Sequence, residues 1–189
     1  MKTNVKAGFT DEMLIILSSM KGKTLKSIQG VFIYDKTSTH GNLRLALGQF
    51  AVDIECGFHV EPLINFDDEV FYDEVSYFSC EKKKLTDEFV PYIDDKTISF
   101  VVNEYISEIV LIRDEITVSN GEHYIIDQAL SIKTANKAYT FSRREIIDES
   151  IYINESDKIE GFQSIKEVKD AWDGEGRYSV DVNRQFVFL

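Results

Sequence analysis

Phe50-Ala51-Val52-Asp53-Ile54-Glu55-Cys56-Gly57-Phe58-His59 decides the fold class. Phe50, Val52, Ile54, Cys56 and Phe58 alternate with Ala51, Asp53, Glu55, Gly57 and His59, a period of two that gives a strand one buried and one wet face. Leu43, Leu45 and Leu47 repeat the pattern upstream, and Ile98, Phe100 and Val102 repeat it downstream. Segments 25–34, 76–80 and 109–118 are rich in β-branched and aromatic residues and predict further strands. Asn120-Gly121, two residues that tolerate positive φ, predicts a two-residue hairpin turn between a strand ending at Val118 and one beginning near His123. Ala135-Asn136-Lys137 separates 130–133 from 138–142 as another hairpin. At the C-terminus, Tyr178, Val180 and Val182, then Phe186 and Phe188, flank Asn183-Arg184 as a last hairpin or one bent strand.

Two short helices interrupt the β pattern. Thr10 is placed to cap the first, Asp11 and Glu12 suit the positive end of its dipole, and Met13, Leu14, Leu17 and Met20 form one stripe before the stop at Lys21-Gly22-Lys23. Ser164-Ile165-Lys166-Glu167 matches a capping box, with Ile165, Val168 and Trp172 on one face and Gly174 as the stop. Trp172 is expected to anchor a core, where its area is best used. The reading is therefore α+β, mainly antiparallel β (a sandwich or partly open barrel-like sheet), with two short helices near 10–21 and 164–173. No regular strand–helix alternation is present, which argues against a doubly wound nucleotide-binding fold. The 189 residues fit a single domain, 1–189. A division into two similar β-rich halves (about 24–95 and 98–150) plus a C-terminal helix and hairpin is suggested by one echo. Gly41 with Ala51-Val52-Asp53-Ile54 resembles Gly121 with Ala129-Leu130-Ser131-Ile132, a match short enough for chance.

Charge narrows the function classes. The chain holds 33 Asp and Glu against 21 Lys and Arg, for a net −12. Residues 61–120 alone carry 15 acids and 5 bases, densest at Asp67-Asp68-Glu69-Val70-Phe71-Tyr72-Asp73-Glu74. A polyanionic surface repels phosphate, and Lys82-Lys83-Lys84 and Arg143-Arg144 are too short to reverse this, so direct nucleic-acid binding is not expected. The longest aliphatic run near the N-terminus covers five residues, 13–17, against the ~20 that a bilayer span requires. No signal-peptide pattern follows it. Cys56 and Cys80 are too few for a disulfide framework and are expected to be reduced thiols in a cytoplasmic protein away from membranes.

Chemistry-bearing residues form two candidate groups. Asp67, Asp68, Glu69, Phe71, Tyr72, Asp73 and Glu74 set rings among carboxylates, the composition of a protein-binding edge in which charge steers and an aromatic side chain is buried. Their spacing matches no calcium loop. Asp53, Glu55 and His59 share the polar side of one strand and form the alternative, a divalent-metal site. That row also follows from the alternation of any two-faced strand.

Asp173-Gly174-Glu175-Gly176-Arg177 lacks a phosphate-binding frame, and no cofactor motif is present. Nucleophilic catalysis has no G-x-S-x-G, and His40, His59 and His123 occupy unrelated settings, His40 in a turn and His123 just after the Asn120-Gly121 turn, both expected to be exposed. Cys56 falls on an apolar face, and Cys80 reads as a strand cysteine beside Lys82 to Lys84.

In general type (small, acidic, β-rich, without an active-site signature) the chain resembles bacterial inhibitor and immunity proteins, although no motif ties it to one. The expected function is a non-enzymatic protein-binding or regulatory module that recognises a basic partner surface. The rivals are a β-rich enzyme or small-ligand binder with a carboxylate or metal site, and a homo-oligomer subunit joined through edge strands.

Overall fold

Alternation becomes hydrogen-bonded ladders over most of the chain. The computed structural model describes residues 4–33, 37–64, 70–143 and 149–189, with the backbone alone at 60–64 and 70–74. In chain order these residues form β1 (Asn4–Ala7), α1 (Asp11–Ser18), β2 (Thr24–Ile33), β3 (Ser38–Leu47), β4 (Ala51–Ile64), β5 (Val70–Lys83), β6 (Ile98–Val118), β7 (His123–Thr134), β8 (Ala138–Ser142), β9 (Ser150–Ser156), α2 (Ile165–Trp172) and β10 (Val180–Phe188). All ten strands belong to one sheet that is antiparallel except where β1 runs parallel to β7.

The pairing path β7-β8-β9-β3-β2-β6 returns to its start, because β6 pairs with both β2 and β7. The ring is uneven. β3 meets β9 over only Ser38↔Tyr152, Thr39↔Ile151 and His40↔Ser150, and then passes to β4 from Asn42↔Glu55 onward. Gly41, at φ 76°, stands at this change of partner, a left-handed conformation that a side chain would strain. The β4–β5 hairpin, β1 and β10 extend from the ring on β3, β7 and β6 respectively.

Several boundaries differ from the reading of the sequence. The two strands predicted around 98–102 and 109–118 are a single 21-residue strand, β6. The polar stretch between them reads as a break, but it is where β6 exchanges β2 for β7, with register shifts at Leu25/Ser27 and Ile106/Glu108. At the C-terminus β10 runs unbroken against β6 from Val180↔Val118 to Phe188↔Val110, so the single strand prevails over the hairpin. The Asn120-Gly121 hairpin is present, but its turn differs. Gly121 donates to the Val118 carbonyl (2.9 Å) and Val118 to that of Glu122 (3.0 Å), and within the loop only Gly121 (φ 98°) is left-handed. This is a three-residue loop ending in a glycine bulge. Asn120 instead accepts the Glu122 N–H on its side chain (3.1 Å). Gly41 and Gly121 thus stand in different settings, one within a strand and one in a turn.

Both helices form as their caps dictate. The Thr10 hydroxyl accepts the Met13 N–H, and Ser164 and Glu167 complete the reciprocal capping box. Leu17 and Met20 are fully buried. The larger core fills the ring with residues such as Leu25, Leu43, Ile54, Ile109, Leu130 and Phe141, closed by Phe9 and α1. A second cluster joins Val5, Val75, Ile116, Tyr124 and Val182 to Val168 of α2. Trp172 packs there on Tyr124 with ring centroids 4.1 Å apart, as an anchor should.

Candidate functional site

The acidic segment straddles the β4–β5 hairpin. Asp67, Asp68 and Glu69 lie outside the described residues. Phe71, Tyr72, Asp73 and Glu74 fall on β5 at register positions opposite Leu63, Pro62, Glu61 and Val60, so Glu61 shares a rung with Asp73.

A second segment of the same composition, not singled out in the sequence, is described in full. Asp87-Glu88-Phe89-Val90-Pro91-Tyr92-Ile93-Asp94-Asp95 again sets apolar residues between pairs of acids. It belongs to the connection from β5 to β6, and two side chains of β3 strap it to the sheet. Arg44 holds Asp53 with both ends of its guanidinium (2.6 and 2.9 Å) and donates to the Asp87 (2.6 Å) and Glu88 (3.3 Å) carbonyls. It also lies over the Phe89 ring. Asn42 donates to the Val90 carbonyl (2.9 Å) and accepts the Tyr92 N–H (3.0 Å). Phe89 is buried, whereas Val90 is 72% exposed and Tyr92 49% exposed among exposed Asp87, Glu88, Asp94 and Asp95. The result is an anchored loop that presents apolar side chains framed by carboxylates.

Behind that loop stands a polar cluster. His40 is in β3, not in the predicted turn, because β3 begins at Ser38 to meet β9. Its Nε2 is 3.6 Å from Glu149, and its ring meets the Tyr92 ring edge-on. The Tyr92 hydroxyl donates to Glu149 (2.8 Å), which holds the tyrosine pKa above its ordinary value. His123 begins β7, as its place after the Asn120-Gly121 turn predicts, and is held between Asn4 (3.1 Å) and Glu115 (3.0 Å), a contact that keeps the Glu115 carboxyl below the usual range.

Asp53, Glu55 and His59 do lie along one face of β4, but they do different things. Both Asp53 oxygens are engaged by Arg44, Glu55 is exposed beside Gly57, and the His59 ring meets Tyr77 edge-on. Among the described residues no group of three His, Cys, Asp or Glu is placed to hold a metal ion. Cys56 and Cys80 are buried free thiols, and burial pushes Cys80 up to about 12, overriding any effect of the neighbouring lysines.

The interior carries charges of its own. Arg113 pairs with fully buried Asp127 (2.6 and 3.1 Å), which also accepts the Phe9 N–H (2.7 Å). Arg184 grips Asp114 (2.7 and 2.6 Å) and donates to the Gln163 carbonyl. Arg143 is buried, with Nη1 donating to the Ser76 carbonyl and Nη2 lacking a hydrogen-bond partner among the described residues. Burial draws its pKa down, opposed by the field of Cys56, Asp127 and Asp114. No sequence motif announces this network, because its members are brought together by strand register.

Comparison of the chain with protein-family models, curated proteins and solved structures gives no match. Among the described residues no helix is long and apolar enough to cross a membrane.

Proposed function

We propose that the protein is a non-enzymatic binding or regulatory module, inhibitor- or immunity-like in type, whose acidic surface recognises a basic partner protein. One observation carries this reading: the fold turns four of its six arginines inward and leaves most of the described carboxylates out. Arg44, Arg113, Arg143 and Arg184 lie wholly or largely inside, facing Asp53, Asp114 and Asp127. Four internal cations against three anions leave the remainder of the chain one unit more negative than the whole-chain −12. Internal neutralisation therefore does not remove the acidic exterior. The anchored loop supplies Val90 and Tyr92 as apolar anchors within that field, and the segment Asp67, Asp68, Glu69, Phe71, Tyr72, Asp73 and Glu74 has the same composition of rings among carboxylates. Long-range attraction speeds the encounter and burial of a ring holds the complex. A nuclease or another basic effector suits such a surface, since carboxylates can occupy a phosphate site. On this reading nucleic acid and membranes are not direct partners, no cofactor is required, and the protein acts in the cytoplasm.

The test compares the wild type with two charge-reversed variants, one with the acids of 67–74 and one with Asp87, Glu88, Asp94 and Asp95 changed to Lys. Immobilised wild type should retain basic proteins from lysate at about 0.05 M salt and release them by about 0.3 M as screening shortens the range of attraction. At least one reversal should weaken the captured partner tenfold or more. A partner indifferent to both salt and reversal overturns the proposal.

A further inference from the structure

Arg44, Gln29 and Ser99 form one rung across β3, β2 and β6, and Ala46, Ser27 and Val101 form the next but one. Side chains opposite one another in a ladder share a face, so both rungs lie on the side that carries the strapped loop. Leu45 and Ile28, on the rung between them, enter the core. The outer surface of the sheet therefore continues from the loop over β3 onto β2 and β6. Its two halves differ in sign. Over β3 the exposed carboxylates are Asp87, Glu88, Asp94 and Asp95, set around Val90 and Tyr92. On β2, β6 and the turn that enters β2, the exposed side chains include Lys21, Lys23 and Lys26. No Asp or Glu occurs between Glu12 and Asp35, and Glu104 is turned to the Thr134 hydroxyl. Lys26 donates to Asn103 (3.0 Å), and neither it nor Lys23 is paired with a carboxylate among the described residues. Val101, 84% exposed, and Tyr105, 59% exposed, stand beside these lysines. A single exposed apolar residue is ordinary. Here each half of one surface supplies an aliphatic side chain and a ring, framed by charge of opposite sign.

We propose that this surface binds a second copy of the chain about a two-fold axis set between its halves. The loop of one copy then lies on the lysines of the other, and the reverse contact forms at the same time, as an isologous interface requires. Val90 and Tyr92 are covered by Val101 and Tyr105, and the loop carboxylates meet Lys23 and Lys26. The net −12 of each copy opposes approach. At ~0.15 M salt, however, that repulsion fades beyond about 8 Å, whereas charges brought into contact are screened much less. The dimer covers the loop, so a basic partner of the kind proposed above competes with the second copy. The dimer itself does not depend on that partner.

Sedimentation equilibrium at ~0.15 M salt tests the dimer with two charge-reversed variants. One carries Glu88→Lys, Asp94→Lys and Asp95→Lys, the other Lys23→Glu and Lys26→Glu; all of these side chains are exposed. Wild type should pass from one copy to two as its concentration rises. Each variant alone should dimerise about tenfold more weakly or worse, because like charges then face each other. Mixed in equal amounts, the two should recover wild-type affinity to within about threefold, since both contacts of the hetero-pair again join opposite charges. Val101→Ser, which alters no charge, should weaken the dimer about fivefold, and it decides the matter if a reversed variant does not fold. Wild type that stays a single copy up to about 1 mM overturns the proposal. So do assemblies that grow past two copies, a mixture no tighter than its components, or an affinity unchanged by Val101→Ser.

Discussion

Asp127 concentrates more structural consequence than any other carboxylate described. It ties β7 to β6 through Arg113 and to the entry of α1 through the Phe9 N–H, and its field opposes the desolvation of Arg143. A buried ion pair can be worth little against an apolar replacement, but removing one partner strands the other. Asp127→Ala should therefore destabilise the protein by about 3–5 kcal/mol. Urea unfolding monitored by circular dichroism measures this; a loss under about 1 kcal/mol would mean that water replaces the carboxylate readily. The companion pair is built alike, since Asp114 accepts both ends of the Arg184 guanidinium in full burial. In the sequence these aspartates are indistinguishable from the acids that remain outside.

Among the elements, the connection between β5 and β6 owes its position to polar side chains and one buried ring. Leu85, Val90 and Tyr92 remain exposed, so apolar burial holds it mainly at Phe89. The straps are Arg44, Asn42 and the Tyr92–Glu149 hydrogen bond. Arg44→Ala should release the segment while the ring core persists, because Arg44 meets the loop mainly through backbone carbonyls and the Phe89 ring. Limited proteolysis should then cut between 84 and 97 at least tenfold faster than in the wild type, given that accessible backbone sets cleavage. Unchanged cleavage would show that Phe89 and Asn42 suffice. Gly41 contributes in a second way, since a Cβ there would fall 2.3 Å from the Tyr92 ring. Absence of a side chain thus lets the loop cross β3 where that strand changes partner.

For the molecule as a whole, alkaline pH acts on several buried protons at once. Burial raises Cys80 to about 12 from an ordinary 9.0, Tyr139 to about 12 from 10.0, and Tyr124 further still. The native state then keeps protons that the unfolded chain has released. Stability from these groups is complete below about pH 9 and declines between there and about pH 12, by at most about 1.4 kcal/mol per pH unit for each group. Urea midpoints measured from pH 7 to pH 11 should be level at first and fall above pH 9. A midpoint that rises over that range would contradict the burial of these side chains. The acidic exterior adds in the same direction as lysines lose their charge and self-repulsion grows.

How much of this was legible in the sequence depends on the range of the interaction. Period-two runs, the Thr10 cap and the Ser164–Glu167 capping box are local, and local chemistry alone determined strand content, both helices and the burial of Cys56 and Leu17. Strand length was less legible at β6, where polar residues mark an exchange of partners that resembles an ending. Register was not legible at all. Arg44 meets Asp53 across nine residues, but Arg184 reaches Asp114 across seventy and Asp127 the Phe9 N–H across 118. The sequence by itself determined a β-rich chain with an excess of carboxylates. Only the tertiary structure decided which carboxylates face arginine and which loop lies over β3, because pairing between distant strands is set by the packing of the whole sheet.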